Sequence, residues 1–166
     1  MYNRFYTQNR KGKKGETEIK EYYKNKGVNV VDVSENKEYQ NKDIDFFFNG
    51  QSVEVKTANY LNNHNNIILE IVSNDNEKDY KTGWLYSCLA DVIIFYNPQT
   101  KVMYQFFMDD LKEYYMQNKD MIHHENYYFQ EYDNAKYIKC SILAYIPIDE
   151  LLSSIQNHRI ETIKGV

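Results

Sequence analysis

Asp43-Ile44-Asp45-Phe46-Phe47-Phe48-Asn49-Gly50-Gln51-Ser52-Val53-Glu54-Val55-Lys56 is the stretch on which the reading of this chain turns. Asn49-Gly50 lies between two alternating runs, and a type I′ turn needs two residues that tolerate positive φ, so the stretch predicts a β-hairpin. With these two residues as the loop, Phe48 pairs with Gln51, Asp45 stands opposite Glu54, and Asp43 stands opposite Lys56. Side chains alternate along a strand, so Asp43, Asp45, Glu54 and Lys56 share one face. Ile44, Phe46, Phe48, Val53 and Val55 take the other, an apolar face fit for a core.

Carboxylates facing each other across a strand pair repel, which weakens a hairpin by roughly 0.2–1 kcal/mol. A divalent cation between them turns repulsion into attraction, and carboxylate and carbonyl oxygens are ligands that Mg²⁺ accepts, with water and substrate phosphate completing its octahedron. Lys56, two residues after Glu54, then stands beside the metal, where its charge can hold a phosphate or steady an attacking hydroxide. The bland alternative is a surface hairpin with an Asp43–Lys56 ion pair. Upstream, Gly15 to Lys26 reads as an amphipathic helix with Ile19, Tyr22, Tyr23 and Lys26 at spacings of three and four, stopped by Gly27. Val28 to Val33 follows as a strand. Glu16 falls on the inward stripe of that helix, either complementing the helix dipole or joining the acidic cluster.

Lys11-Gly12-Lys13-Lys14-Gly15-Glu16 opening a helix, Ile44-Asp45-Phe46 on one strand and Val53-Glu54-Val55-Lys56-Thr57 on the next resemble the PD-(D/E)XK nuclease superfamily. Within it, the Holliday-junction resolvase-like and phage-type endonucleases are the nearest in pattern. The resemblance covers about residues 11 to 107, and Ile44 stands where the motif's name has proline. It implies an α/β (α+β) fold with a restriction-endonuclease-like αβββαβ core, a central mixed β-sheet flanked by helices. It also implies a Mg²⁺-dependent phosphodiesterase acting on DNA, in which Mn²⁺ can substitute. By position, Asp45 and Glu54 would be the metal ligands with the backbone carbonyl of Val55, Lys56 the catalytic lysine, and Glu16 the acid of the first helix. Asp43 also lies close, but Asp45 faces Glu54 directly.

A chain of 166 residues is long enough to bury a core as one unit, here 15–166, with a catalytic core over about 15–107 and a C-terminal α/β extension over 108–166. Apolar residues at 42% and charged residues at 27% fit a globular protein. Cys88 and Cys140 are far apart in apolar segments, which predicts buried free thiols rather than a disulfide or zinc site. The N-terminus has no hydrophobic signal region and no apolar run approaches membrane-spanning length, so the expected setting is cytoplasmic, away from membranes. Net charge is −4, yet residues 1–14 carry Arg4, Arg10, Lys11, Lys13 and Lys14 and no acid. With Tyr2, Phe5 and Tyr6 interleaved, this basic arm is either a DNA contact leading into Glu16 or a flexible tail.

Beyond Lys56, Ala58 to Asn66 reads as a loop in which His64 is a solvated side chain. Ile67 to Val72 reads as a strand whose Glu70 could face the acidic site, and Ser73 to Thr82 as a polar loop. Gly83 to Ala90 reads as a short helix with Trp84, Leu85 and Cys88 or Leu89 inward. Asp91 to Tyr96 is a strand apolar enough to be covered on both faces. Asn97 to Thr100 turns it into Val102 to Phe107. Asp109-Asp110 opens a helix with Leu111, Tyr114 and Tyr115 buried. His123-His124-Glu125 invites a metal reading, but adjacent strand residues point to opposite faces and no third ligand is spaced to help. Lys136 to Ile146 is a strand, ended by Pro147, and Ile148 to Ile155 a terminal helix.

No Gly-rich phosphate loop occurs, which argues against an ATP-driven machine. No Gln-x-x-x-Tyr follows the lysine, which leans away from RecB-like exonucleases and toward an endonuclease. Branched DNA such as a Holliday junction is the preferred substrate, and symmetric cutting of a branch requires two sites, hence a homodimer. A restriction-type sequence-specific enzyme follows closely. The alternative of another class is a non-catalytic DNA- or protein-binding regulator on the same fold.

Overall fold

The computed structural model describes residues 3–62, 64–74, 80–130 and 138–163, with side chains from residue 12 onward apart from 128–130, 138 and 139. The hairpin forms in the expected register: β2 (Phe46–Phe48) pairs antiparallel with β3 (Gln51–Thr57), Phe48 opposite Gln51 and Phe46 opposite Val53. Asn49 at φ 50° and Gly50 at φ 90° supply the two left-handed residues of the turn. One further step along this ladder, the Asp45 N–H donates to the Val53 carbonyl at 2.9 Å. The ladder ends there. Asp43 has φ 51°, and the chain turns instead of continuing the strand. The expected Asp43–Lys56 cross-strand pair is therefore absent, and Ile44 packs in the core on the opposite side of the sheet from Phe46 and Phe48.

That sheet is the centre of the molecule. Its strand order is β1-β2-β3-β6-β7-β10, with β1 (Val30–Asp32), β6 (Val92–Asn97), β7 (Val102–Phe107) and β10 (His158–Thr162). Only the β3–β6 pairing is parallel, so the sheet is mixed. Asp91 pins the start of that pairing, accepting from the Ser52 N–H at 2.9 Å and the Ser52 hydroxyl at 2.6 Å. All of β6 is buried, as a central strand covered on both faces requires. Its odd and even residues divide between two cores. Val92, Ile94 and Tyr96 meet Phe46, Val53, Val55 and the helix α1 (Asn3–Asn25) through Ile19 and Tyr23. Ile93 and Phe95 face the larger cluster on the other side.

The larger cluster is roofed by a second, antiparallel sheet of order β5-β4-β9-β8: β5 (Lys81–Thr82), β4 (Asn66–Asn74), β9 (Ile138–Pro147) and β8 (His123–Gln130). Ile67 and Leu69 of β4 and Ala144 and Ile146 of β9 point into it. Three helices close its margins. The one-turn α3 (Trp84–Ser87) contributes Leu85, α4 (Met108–Asn118) contributes Met108, Leu111, Tyr114 and Tyr115, and α5 (Ile148–Ser154) contributes Ile148 and Leu151. Cys88, not Leu89, is the inward residue after α3; Leu89 is exposed. A short α2 (Lys37–Gln40), capped by Asn36, fills the link between β1 and β2.

One expectation about extent is revised. The first helix begins at Asn3 rather than Gly15, so the basic segment forms the N-terminal half of α1. Within residues 108–163, β10 completes the central sheet on β7, and β9 pairs with β4. Among the described residues, no helix is long and apolar enough to cross a membrane.

Candidate active site

Local chain geometry first dictates where Asp45 and Glu54 lie. Because the β2–β3 ladder stops at Asp45, the Val55 N–H has no backbone partner from that side. The Asp45 carboxylate takes its place, Oδ2 accepting from the Val55 N–H at 2.8 Å. Glu54, on the next strand and on the same face, is buried with its side chain 8% exposed. The two acids stand opposite each other at the mouth of a cleft of about 360 Å³, which Glu16, Asp43, Glu35 and Lys13 also line.

Glu16 reaches this cleft because α1 docks closely on the end of β3. A Cβ built on Gly15 would lie 2.1 Å from Thr57 Oγ1, so only glycine allows the approach. The Thr57 hydroxyl then donates to the Gly12 carbonyl at 3.4 Å. The helix thus presents Glu16, one residue on, to the acidic pair.

Burial and mutual repulsion mark the carboxyls. Asp45 is pushed up to about 8, first by burial and then by the Glu54 charge, against the Val55 N–H that favours its ionised form. Glu16 is also raised, by burial and then by Glu54. Lys56, in contrast, is held in its charged form. Its Nζ lies 2.5 Å from Glu54 Oε1 and stands over the Trp84 ring. Burial pulls this ammonium down, but the Glu54 charge, with Asp43 and Asp45 behind it, outweighs burial and holds it above its ordinary value. Lys56 is therefore a fixed cation at neutral pH.

Comparison with family models, with curated proteins and with solved structures gives no match to this chain. The site is read from its own chemistry.

Of the residues singled out from sequence, Glu16, Asp45, Glu54 and Lys56 come together, and Val55 lies between the last two on β3. Lys13 lines the cleft but is tied to Glu35 at 2.5 Å. Lys14 is exposed and lies 3.9 Å from Glu18, away from the acids. The side chains of Arg4, Arg10 and Lys11, like residues 1 and 2, lie outside the described residues. Glu70 is on the second sheet and does not line the cleft. His64 is an exposed loop residue. His123 and His124 diverge on β8, one meeting Glu125 and the other the Tyr115 hydroxyl. Cys88 and Cys140 are buried and form no disulfide, and burial pushes the Cys88 thiol up to about 11.

Sequence reasoning missed Glu35, which follows β1 and has no motif to flag it. It also gave Asp43 the wrong partner: its carboxylate accepts from the Ser87 hydroxyl at 3.2 Å rather than pairing with Lys56. The positive φ that causes this has a residue-type signal, since aspartate tolerates the left-handed region better than most residues.

The donor set suits a hard cation. Asp45 and Glu54 offer oxygen ligands to one cleft, Glu54 already holds one cation in the Lys56 ammonium, and Asp45 makes no ion pair among the described residues. Among the described residues, no group of three or more histidine, cysteine, aspartate or glutamate side chains forms a metal cage. A cation here would rest on two carboxylates and a backbone carbonyl, with water filling the remainder, which Mg²⁺ accepts.

Proposed function

We propose that this chain is a Mg²⁺-dependent DNA endonuclease of the PD-(D/E)XK type, with branched DNA as its preferred substrate. The observation that carries the reading is the convergence of Asp45, Glu54 and Glu16 on one cleft, with Lys56 paired to Glu54. The succession α1, β1, β2, β3, α3, β6, with β3 and β6 parallel, supports a restriction-endonuclease-like core. It differs in that the short α2 lies between β1 and β2, and in that β4 and β5 enter between β3 and α3 and belong to the second sheet.

Asp45, Glu54 and the Val55 carbonyl would hold the metal, which when bound supplies a Lewis acid for the scissile phosphate and water of lowered pKa. Lys56 keeps a positive charge beside the phosphate, where charge accumulates in the transition state. Glu16, held toward its protonated form by burial and then by the Glu54 charge, is a group in the cleft that can give or take a proton. Acids outnumber bases around the cleft, so the metal-free site repels a phosphate backbone. DNA engagement at the site requires the cation.

The test is incubation with supercoiled plasmid, linear duplex, single-stranded DNA and a four-way junction, with Mg²⁺ or with EDTA. The expected result is Mg²⁺-dependent cutting, fastest on the junction, and lowered about 10²–10³-fold or more in Lys56→Ala and in Asp45→Asn. Fastest cutting of linear duplex at defined sequences would assign a restriction-type enzyme. No cutting of any substrate by folded protein would overturn the nuclease reading in favour of a non-catalytic module.

A further inference from the structure

Trp84 is the only tryptophan in the chain, and the chemistry above gives it no task. Its half-buried ring rests against Phe95 with centroids 6.0 Å apart, and Lys56 Nζ stands 5.4 Å from its ring centroid. The same ammonium is 2.5 Å from Glu54 Oε1. Lys56 thus sits between two partners of different kinds: a carboxylate that a metal would compete for, and an aromatic face that no metal would take.

The ring's place is set independently of Lys56. Gly83, immediately before it, crosses β4 so closely that a Cβ would lie 2.1 Å from the Glu70 carbonyl oxygen. The Gly83 N–H donates to the Ile71 carbonyl at 2.8 Å. The second sheet therefore holds Trp84 over a lysine that belongs to the central one.

We infer that Trp84 is a positioning residue for Lys56: its ring is the ammonium's second seat, and it keeps Lys56 beside the acidic pair when Glu54 turns to a divalent cation. Without the ring, a flexible lysine stem that lost Glu54 would swing toward water. Cation–π attraction, strengthened where the group is partly desolvated, favours the retained position by about three- to tenfold. The inference rests on the metal-dependent reading of the cleft for its purpose, and on the two contacts for its geometry.

Emission from Trp84 tests it, because no other tryptophan contributes. Without metal, Glu54→Gln should release the ammonium onto the ring and lower the emission, and adding Lys56→Gln should restore it. Unchanged emission in Glu54→Gln overturns the inference without reference to catalysis. In the wild-type protein, Mg²⁺ should give a heat of binding by calorimetry together with a loss of emission, and Lys56→Gln should keep the heat and lose the optical change. Heat without an emission change overturns the role of Trp84 and leaves the nuclease reading standing; no heat overturns both. On turnover, Trp84→Leu should lower kcat about three- to tenfold with unchanged Mg²⁺ affinity and Tm, and Trp84→Phe should recover most of that loss. Equal losses in the two variants would show that the ring has no special part.

Discussion

Asp45 uses one carboxyl group for two purposes, accepting the Val55 N–H and facing Glu54. The first favours its ionised form, while burial and the second oppose it, and the opposing pair wins. In the folded, metal-free protein Asp45 keeps its proton up to about pH 8, whereas in the unfolded chain it releases it near its ordinary value of 3.8. Between those values the folded state binds the extra proton, so stability is greatest at the acid end of the window and falls as pH rises through it. Thermal unfolding of the metal-free protein should therefore show a declining Tm from about pH 5 to about pH 8. Asp45→Asn, which keeps an acceptor for Val55 without the charge, should flatten that decline. Excess Mg²⁺ should raise Tm most at the alkaline end, where Asp45 is ionised. A Tm that rises with pH in the wild type and is unaltered in Asp45→Asn would contradict this account. The acidic pair and Lys56 were legible in the hairpin alone, because turn residues and a period of two set who faces whom. Asp43 was misplaced because its left-handed conformation ends a ladder that the alternation alone would continue.

At the scale of elements, the contact between α1 and β3 decides whether Glu16 belongs to the site. Two effects compete at Gly15. Alanine there would gain up to about 1 kcal/mol of helix propensity, but its Cβ would meet Thr57, and overpacking of this kind costs about 1–3 kcal/mol. The clash should win. Gly15→Ala is expected to lower stability in chemical denaturation by about 1–2 kcal/mol and to weaken Mg²⁺ binding as Glu16 is displaced. Gly12 is the control, since a Cβ there comes only within 3.7 Å of Glu16 Oε1, an ordinary contact. Gly12→Ala should be neutral or stabilising. Equal behaviour of the two variants would remove the close approach as the reason for glycine. The helix end was readable: Gly27 follows it with φ 76°, and the Gly27 and Val28 N–H groups donate back to Lys24 and Tyr23. Its beginning was not, because the polar residues before Gly15 carry a weak apolar period.

For the whole molecule, the last described strand ties the chain together. Glu161 of β10 accepts from Tyr22 of α1 and from Lys26 just past its end, so β10 is bonded to the first helix. Burial opposes ionisation of Glu161, but these bonds win and hold its carboxyl below the ordinary range. Ending the chain at Asn157 would remove these bonds and leave β7 as a bare edge. The expected result is a lower Tm and concentration-dependent association by light scattering, as an unpaired strand invites. A truncated protein that stays monomeric with unchanged Tm would show that β10 is dispensable. Charge acts at this scale too. With a net charge of −4 and an acidic cleft, junction DNA should bind in fluorescence anisotropy with Mg²⁺ and lose most of its affinity in EDTA. Binding that is indifferent to Mg²⁺ would move the DNA contact away from this cleft.

By itself the sequence determined what depends on neighbours along the chain. These are the hairpin and its register, the doubly buried β6, and the identity of the acids and lysine that share a face. Backbone φ at a turn and alternation along a strand are local properties, so they are written locally. Tertiary structure alone decided that β4 leaves the central sheet, that β10 completes it, that Glu35 joins the cleft and that Trp84 lies over Lys56. Each of those is a contact between residues distant in sequence. Such contacts are chosen by which apolar faces can be buried together, and no short segment carries that choice.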